Sequence, residues 1–469
     1  MVIKNDMHLL DYSVIIIYFA SVVILGFYRS KKSSANTDNY ILAGRKLSLP
    51  GFVATLVTTW YGGILGIGEN TFNYGIQTWF IFGLPYYFFA ILFAIFIAPR
   101  IRKLNFVSIP DQFHNRYGKP AGVISGIFLL FLASPAPYIL SIGILLEYTI
   151  GIPFLWALIV ATIFSLIYIW RGGFGAIIRT DIFQFILMFG GFILLIIFAW
   201  IKIGSPIEII KQLPAEHLSP TGGNSIQYIF VWFFIAMWTF IDPGFYQRCA
   251  AAKSPKTAQK GILISVIFWF IFDSLTLTTG LYAHVLLTGH QGLFAFPALG
   301  QALLPPLFYG LFITGLLATI MSTIDSLGFI SAFTFGRDIV GRINNNNKID
   351  NSESLIRLGL IIMAIIAIIL AYSFPSVVKL WYTIGSIFVP GLLLPFLITF
   401  TKIKLKKWQG LSLLIVPVSI SIIWFILNST ILNFSLKIEP FYPGIFTSIL
   451  LSFSFILSQN KNTKKGNMS

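Results

Sequence analysis

TIMSTIDS, residues 319–326, places several hydroxyl groups and one carboxylate in the middle of a long apolar stretch. The residues before it (LFYGLFITGLLA, 307–318) and after it (LGFISAFTFG, 327–336) carry no charge. If this stretch crosses a membrane, an ionisable group at its centre costs about 2.5 to 3.5 kcal/mol. Polar groups are kept at such a depth where they pair with one another or bind something, so TIMSTIDS is the first candidate site.

The composition places the whole chain in a membrane. Of the 469 residues, 57% are hydrophobic and 10% are charged, whereas a soluble domain carries about 25% charged residues. The single cysteine, Cys249, excludes an intramolecular disulfide. We predict an all-α, multi-pass protein of the plasma membrane, with the lipid bilayer around it and no separate soluble domain. The roughly 17 to 25 apolar residues that a spanning helix needs occur thirteen times: 10–28, 50–72, 77–98, 121–146, 153–170, 180–202, 226–246, 261–284, 306–335, 356–374, 377–400, 409–427 and 441–458.

Basic residues are distributed unevenly over the connections between these spans. Alternate connections, together with the C-terminal tail, hold 27 of the 32 Lys and Arg residues. Under the positive-inside rule this bias predicts an outside N-terminus and a cytoplasmic C-terminus. The net charge of +16 is spread over every predicted cytoplasmic connection, so it indicates topology and argues against nucleic-acid binding.

Two interrupted spans relate the halves of the chain to each other. Span 7 ends in DPGFYQR, 242–248, and span 2 carries four glycines within seven residues: Gly62, Gly63, Gly66 and Gly68. In the predicted topology, span 2 enters the membrane from the cytoplasm and span 7 enters it from outside. A unit of five spans that repeats must therefore be inverted in the membrane, which predicts a 5+5 core of spans 2–6 and 7–11. Interrupted helices at corresponding positions of inverted halves indicate a transport site. We expect the chain to unwind at Gly62-Gly63, whereas close packing explains Gly66 and Gly68 equally well.

The polar residues of TIMSTIDS share one side of a helix. At 100° per residue, Thr319, Ser322, Thr323 and Ser326 lie on one face, with Asp325 at its edge. Hydroxyl oxygens beside carbonyls freed by an unwound helix suit a small alkali cation such as Na⁺. Ser and Thr also bond back to their own helix or join helices. One serine would fit that role, but four polar groups on one face favour ion binding, and no span centre contains a histidine for zinc or haem.

Two further acids lie within predicted spans. Asp181 is near the cytoplasmic end of span 6, and Asp273 is in the middle of span 8. We find no Lys or Arg near a span centre that would neutralise them, so they are expected to be protonated or to face a cation or water. A hydrated face would suit Asp181. A structural hydrogen bond and a functional role are equally consistent with Asp273.

Four stretches resemble the sodium:solute symporter family over nearly the whole chain. They are DNYILAGRKLSLPGFVATL (38–56), GGFGAIIRTDIFQ (172–184), DPGFYQRCAAAKSPKTA (242–258) and LLATIMSTIDS (316–326). The resemblance implies the leucine-transporter-type inverted-repeat fold in a single transmembrane transporter domain. Its implied parts are an extra N-terminal helix (10–28), a first repeat (46–202), a second repeat (226–400) and two peripheral C-terminal helices (409–458).

The resemblance also implies a sodium site between spans 2 and 9. Carried over by position, its ligands are the carbonyls of Thr58, Tyr61 and Thr319 and the hydroxyls of Ser322 and Thr323. Some members bind a second sodium ion, and the matching positions here are Asp181, Asp325 and Ser326. A two-sodium member has serine at the position of Asp325, so the second site is a weaker expectation than the first.

The solute is less well specified. Sugar-carrying members have a Glu-Gln pair where this chain has Ile64-Leu65, and sialic-acid carriers use an arginine on the helix that matches span 4, which has none. We therefore expect a small neutral or zwitterionic organic solute, such as an amino acid. Trp60, Tyr138 and Trp238 are the aromatic residues predicted to line its cavity.

These observations predict a sodium-coupled symporter that works by alternating access and is not an enzyme. A proton-coupled symporter on the same fold is the main alternative, with Asp325 or Asp181 carrying the proton. An intramembrane enzyme would need a nucleophile–base pair or a metal centre, and the span centres lack His and Cys. A sensor is a further alternative. The sequence predicts neither the oligomeric state nor the number of sodium ions per solute.

Overall fold

The computed structural model describes residues 7–28, 37–287, 289, 291–344, 352–374, 376–430 and 438–466. The α-helices of this part of the chain are α1 Leu9–Phe27, α2 Thr37–Leu42, α3 Leu49–Trp60, α4 Ile64–Tyr74, α5 Gln77–Phe82, α6 Leu84–Phe96, α7 Ala98–Leu104, α8 Ile109–Tyr117, α9 Lys119–Leu132, α10 Ala136–Ile150, α11 Phe154–Ile203, α12 Pro206–Ile210, α13 Ile226–Ile235, α14 Pro243–Ala251, α15 Pro255–Leu286, α16 Ala295–Leu303, α17 Phe308–Phe333, α18 Ser352–Ser373, α19 Val377–Thr399, α20 Lys407–Thr430 and α21 Phe441–Gly466. Four 3₁₀ segments (Ala43–Arg45, Ala215–Leu218, Ala236–Ile241 and Gly292–Phe294) and one π-helical segment (Thr334–Gly341) connect or extend them.

The membrane-spanning helices agree with the predicted fold class. Among the described residues, eleven helices or continuous helix pairs are long and apolar enough to cross a membrane, and the bent pair α3–α4 makes twelve. The exact number of thirteen and the orientation of the termini stay predictions. Of the basic residues counted above, Lys4, Arg29, Lys31, Lys32, Lys348 and Lys437 lie outside the described residues.

Helix α11 contains two of the predicted spans, 153–170 and 180–202. Fifty residues of straight helix would extend about 75 Å, more than twice the roughly 30 Å thickness of the hydrocarbon layer. The helix breaks at Gly173, where φ is 53° and ψ is −151°. A side chain at this position would also collide with Tyr40, so the break requires glycine for both conformation and space.

The span predicted at 121–146 is not one continuous helix. Helix α9 ends at Leu132 and α10 begins at Ala136, with Pro135 preceding it. Proline has no N–H and cannot continue the helix, which the apolar pattern did not show. Ser331 on α17 donates a hydrogen bond to the carbonyl of Ala133 at 2.7 Å. This bond satisfies a carbonyl in the break, as a membrane interior requires.

Helix α17, which carries TIMSTIDS, occupies the centre of the helix bundle. In its most apolar window 94% of the residues are buried inside the protein, compared with 28% for α1 and 17% for α21. It packs against α11, α3, α10 and α18. The polar face of α17 therefore contacts other helices and not lipid. This is expected, because a carboxylate that faced lipid would be costly.

Candidate functional site

The break between α3 and α4 faces the middle of α17. The two helices meet at 57°, and Tyr61, Gly62 and Gly63 form the connection. A methyl group on Gly62 would overlap Thr323, and one on Gly63 would overlap Trp381. The predicted interruption at Gly62-Gly63 is confirmed. Gly66 and Gly68 lie inside α4, so the packing interpretation is the correct one for them.

Substituting Gly62 by alanine is expected to separate the break from α17. The added methyl group would overlap the Thr323 side chain, and such overpacking lowers the free energy of unfolding by about 1 to 3 kcal/mol. We expect a lower melting temperature and loss of Na⁺-dependent stabilisation in thermal unfolding of the purified protein. Gly66→Ala is the matched control, because its nearest contact would be a valine side chain at 3.3 Å. Equal melting temperatures and equal Na⁺-dependent stabilisation in the two variants would contradict the prediction.

The predicted sodium ligands on α17 are buried and contact two different elements. Thr323 donates to the carbonyl of Thr59 at 2.9 Å, and Ser322 donates to Asp181 at 2.7 Å. The hydroxyl of Thr319 bonds back to Gly315 in its own helix at 2.7 Å, and its carbonyl, the predicted ligand, accepts a hydrogen bond from the Thr323 hydroxyl at 3.3 Å. Thr323 thus reaches the end of α3, while Ser322 reaches α11.

At the end of α3, the Thr58 carbonyl is a predicted sodium ligand, and the adjacent Thr59 carbonyl is the one that accepts the Thr323 hydroxyl. The Thr58 carbonyl accepts the backbone N–H of Tyr61 at 3.4 Å, across the end of the helix. The Tyr61 hydroxyl donates to the carbonyl of Trp269 at 3.1 Å, so this side chain points away from α17 toward α15. The carbonyls of Thr58, Thr59 and Tyr61 therefore all belong to the last turn of α3 and the start of the break.

Asp181 and Arg248 form a charged pair at the centre of the protein. Both side chains are fully buried, and Arg248 Nη2 lies 3.9 Å from Asp181 Oδ2. The hydroxyl of Thr55 joins them, because it donates to Asp181 and accepts from Arg248 Nη2 at 2.9 Å. The prediction that no basic residue neutralises the intramembrane acids is wrong for Asp181, and its expected hydrated face is also wrong.

Arg248 is one of the 27 basic residues that the charge pattern assigns to cytoplasmic connections, but in the structure it is fully buried in the interior. Its Nη2 also donates to Thr59 at 2.8 Å and Ser326 at 2.9 Å, and Nη1 donates to the Gly244 carbonyl at 3.3 Å. Every residue of α14 is buried. The helix begins inside the protein because Asp242 caps its N-terminus and Pro243 occupies its first position.

The three residues of the predicted second sodium site have different hydrogen-bond partners. Asp325 accepts hydrogen bonds from Ser165 and Tyr168 on α11 and is fully buried. Ser326 instead contacts Arg248 at 2.9 Å and Thr59 at 3.0 Å. Asp181 contacts Ser322, a member of the first set. A guanidinium group therefore lies between Asp181 and Ser326, where the prediction placed a second cation.

A cavity of about 100 Å³ lies next to this cluster. Trp60, Tyr138 and Trp238, the three residues predicted to line a solute cavity, all line it. Other residues that line the cavity, and were not predicted to do so, include Tyr86, Trp381, Asp242, Asp273 and Arg248. The sequence does mark three of them, because Asp273 is an intramembrane acid and Asp242 and Arg248 belong to the interrupted DPGFYQR segment.

Asp273 on α15 is held by an aromatic neighbour. The hydroxyl of Tyr87 donates to its Oδ2. Asp273 reaches both the central cavity and a smaller cavity of about 10 Å³ beside α5. This geometry establishes the structural hydrogen bond that was one of the two interpretations of Asp273, while its carboxylate still faces the central cavity.

Comparisons with known proteins agree with this architecture. Residues 40–408 match the model of the sodium:solute symporter family. The chain is 26% identical to Sodium/proline symporter 2 of Staphylococcus saprophyticus, over 97% of this chain and 93% of that protein. It is 26% identical to the high-affinity proline transporter PutP of Bacillus subtilis, over 93% and 96% of the two chains.

Solved structures show the fold. A substrate-bound, outward-open Na⁺-coupled sialic acid symporter superposes with a TM-score of 0.81 at 19% identity, over 97% of this chain and 98% of that one. Mhp1, a nucleobase-cation-symport-1 family transporter in a closed conformation, superposes with a TM-score of 0.60 at 11% identity, over 90% and 96%. The family match confirms the predicted multi-pass plasma-membrane transporter with Na⁺ as its coupling ion, and confirms that it is not an enzyme. The chain belongs to the sodium:solute symporter family.

Proposed function

We infer that this protein takes up a small zwitterionic organic solute together with Na⁺. The observation that carries this proposal is that the wall of the aromatic-lined cavity includes Thr59 and Arg248, which are hydrogen-bonded to the buried Thr323 and Ser326 hydroxyls of α17. Two sites that share a wall provide the coupling that symport requires, because binding at each affects the same helices. Since two similar proteins are named as proline transporters, L-proline is the first solute to test.

We place the sodium ion between α17 and the break that follows α3. Its proposed ligands are the carbonyls of Thr58, Tyr61 and Thr319 with the hydroxyls of Ser322 and Thr323. Both hydroxyls donate their proton to another oxygen, and a hydroxyl that donates keeps its two lone pairs for a cation. All-oxygen ligation suits a hard ion such as Na⁺.

We propose one sodium ion per transport cycle, because Arg248 occupies the position of the expected second ion. Its guanidinium already supplies a positive charge beside Asp181 and Ser326. A second Na⁺ at the same position would meet a like charge within a few ångströms, which is strongly unfavourable in a buried site. Asp325 is bonded to Ser165 and Tyr168, which precede the break of α11 at Gly173, whereas Asp181 follows that break.

The proposed mechanism is alternating access between two inverted repeats, 46–202 and 226–400, with the N-terminus outside and the C-terminus in the cytoplasm. Each repeat contributes one interrupted segment to the site: the break between α3 and α4, and the 3₁₀ turn between α13 and α14. Such irregular backbone is tolerated at membrane depth where it lines a cavity. Outside Na⁺ and solute favour closure around the site, and release of Na⁺ to the cytoplasm frees the solute.

Uptake of radiolabelled L-proline into proteoliposomes tests the proposal. With an inward Na⁺ gradient, uptake is expected to rise well above that of empty liposomes. Replacing external NaCl by KCl at fixed pH should abolish the rise, because K⁺ is too large for a site built around Na⁺. Uptake that persists in KCl and responds to a proton gradient would instead support the proton-coupled alternative.

A further inference from the structure

The central cavity has walls made mainly of aromatic rings. Trp60 and Tyr86 pack edge to face, with their ring centroids 4.9 Å apart. Tyr138 and Trp381 form a second ring pair, with centroids 6.1 Å apart. Trp238 also lines the cavity. The faces of Trp and Tyr rings attract organic cations, and a cavity enclosed by several such rings is suited to an ammonium group.

The charges that line the cavity favour the same ligand. Asp242 and Asp273 both reach it. Arg248, the one basic residue among the described residues of its wall, lies 3.9 Å from Asp181 and also interacts electrostatically with Asp242, so one positive charge is shared between two carboxylates. The carboxylate of Asp273 is held by Tyr87. Asp242 accepts the backbone N–H of Phe245 at 2.9 Å and is partly exposed to the cavity.

We propose that this cavity binds the ammonium end of a secondary or quaternary amine, with Asp242 as its counter-ion and Trp60 as one of its aromatic faces. This inference rests on the proposed function and names the solute class of the same site. A solute with a positively charged nitrogen gains both ring and carboxylate contacts. A solute with an uncharged atom in that place gains neither, and it removes water from the Asp242 carboxylate without supplying an opposite charge.

A purely structural role of Asp242 is the competing explanation, because the residue caps α14. Asparagine caps a helix about as well as aspartate, whereas alanine does not. Asp242→Asn therefore keeps the cap and the side-chain volume and removes the charge. Asp242→Ala removes both. This pair separates a capping role from a role in binding.

The test is thermal stabilisation of the purified full-length protein in NaCl by matched pairs of compounds. L-proline is paired with tetrahydrofuran-2-carboxylate, in which oxygen replaces the ring nitrogen. Choline is paired with 3,3-dimethyl-1-butanol, in which carbon replaces the quaternary nitrogen. We expect at least one amine to stabilise the protein at millimolar concentration and its partner without the positively charged nitrogen to have no effect. Equal stabilisation by both members of a pair, or none by either amine, would overturn the proposal.

The variants give a second, independent readout. For the amine that binds, Asp242→Asn is expected to raise the dissociation constant at least ~10-fold, and Trp60→Leu to do so more than Trp60→Phe. Unchanged amine binding by Asp242→Asn would overturn the role of the charge. Stabilisation by NaCl over KCl without solute reports the ion site separately. If NaCl stabilises the protein but neither amine does, the proposed amine site is wrong and the sodium site remains supported. If an amine stabilises the protein but NaCl does so no more than KCl, the amine site is supported and the sodium site is wrong.

Discussion

Replacing Arg248 by methionine is expected to destabilise the protein by about 3 to 5 kcal/mol, because it leaves a buried carboxylate without its charged partner. Asp181 would keep only its bonds to Thr55 and Ser322. The Thr59 and Ser326 hydroxyls would lose the donor that now joins α3, α14 and α17. Transport should be lost, and the melting temperature in KCl should fall by several degrees.

Two controls make this prediction specific. The double variant Arg248→Met/Asp181→Asn removes both charges and should be less destabilised than the sum of its single variants. Arg45→Met breaks a more exposed pair with Asp38, 3.2 Å apart, and should cost at most about 1 kcal/mol. Additive effects in the double variant would show that Arg248 acts through packing and not through Asp181.

The same variant tests the number of sodium ions. Without the guanidinium, the space between Asp181 and Ser326 becomes available to a small cation. Arg248→Met is therefore expected to be stabilised more by NaCl than the native protein is, relative to KCl, with a steeper dependence on Na⁺ concentration. An unchanged dependence would mean that this space does not accept a cation.

Local sequence patterns were sufficient for features that one segment determines by itself. Apolar length gives the spanning helices, and the adjacent Gly62-Gly63 pair marks the break that the structure contains. The interior position of Arg248 is different. Its partners Thr55 and Ser326 lie 193 and 78 residues away in sequence, and charge counting assigns any arginine after a span to the aqueous phase.

The hydrogen-bond partners of Asp325 are a second feature that local sequence patterns do not predict. Its place at the edge of the polar face follows from helical periodicity. Its partners do not, because Ser165 and Tyr168 belong to the first half of α11, and only the packing of α11 against α17 brings them close. Spacing predicts which residues share a side of a helix, whereas the element that faces this side depends on the tertiary fold.

Ser322→Ala and Thr323→Ala are expected to weaken Na⁺ binding at least ~10-fold each, by analogy with the loss of a group that supports a metal site. At 100 times its dissociation constant, Na⁺ stabilises the native protein by about 2.7 kcal/mol; a ten-fold weaker site retains about 1.4 kcal/mol at the same concentration. Thermal unfolding in NaCl and in equimolar KCl measures the difference directly. Thr314→Ala is the matched control on α17, since the Thr314 hydroxyl bonds back to Gly310 at 2.7 Å and lies outside the proposed ligand set. If both TIMSTIDS variants keep the full sodium-specific stabilisation that Thr314→Ala keeps, the ion binds elsewhere and the hydroxyls of α17 serve only to join helices.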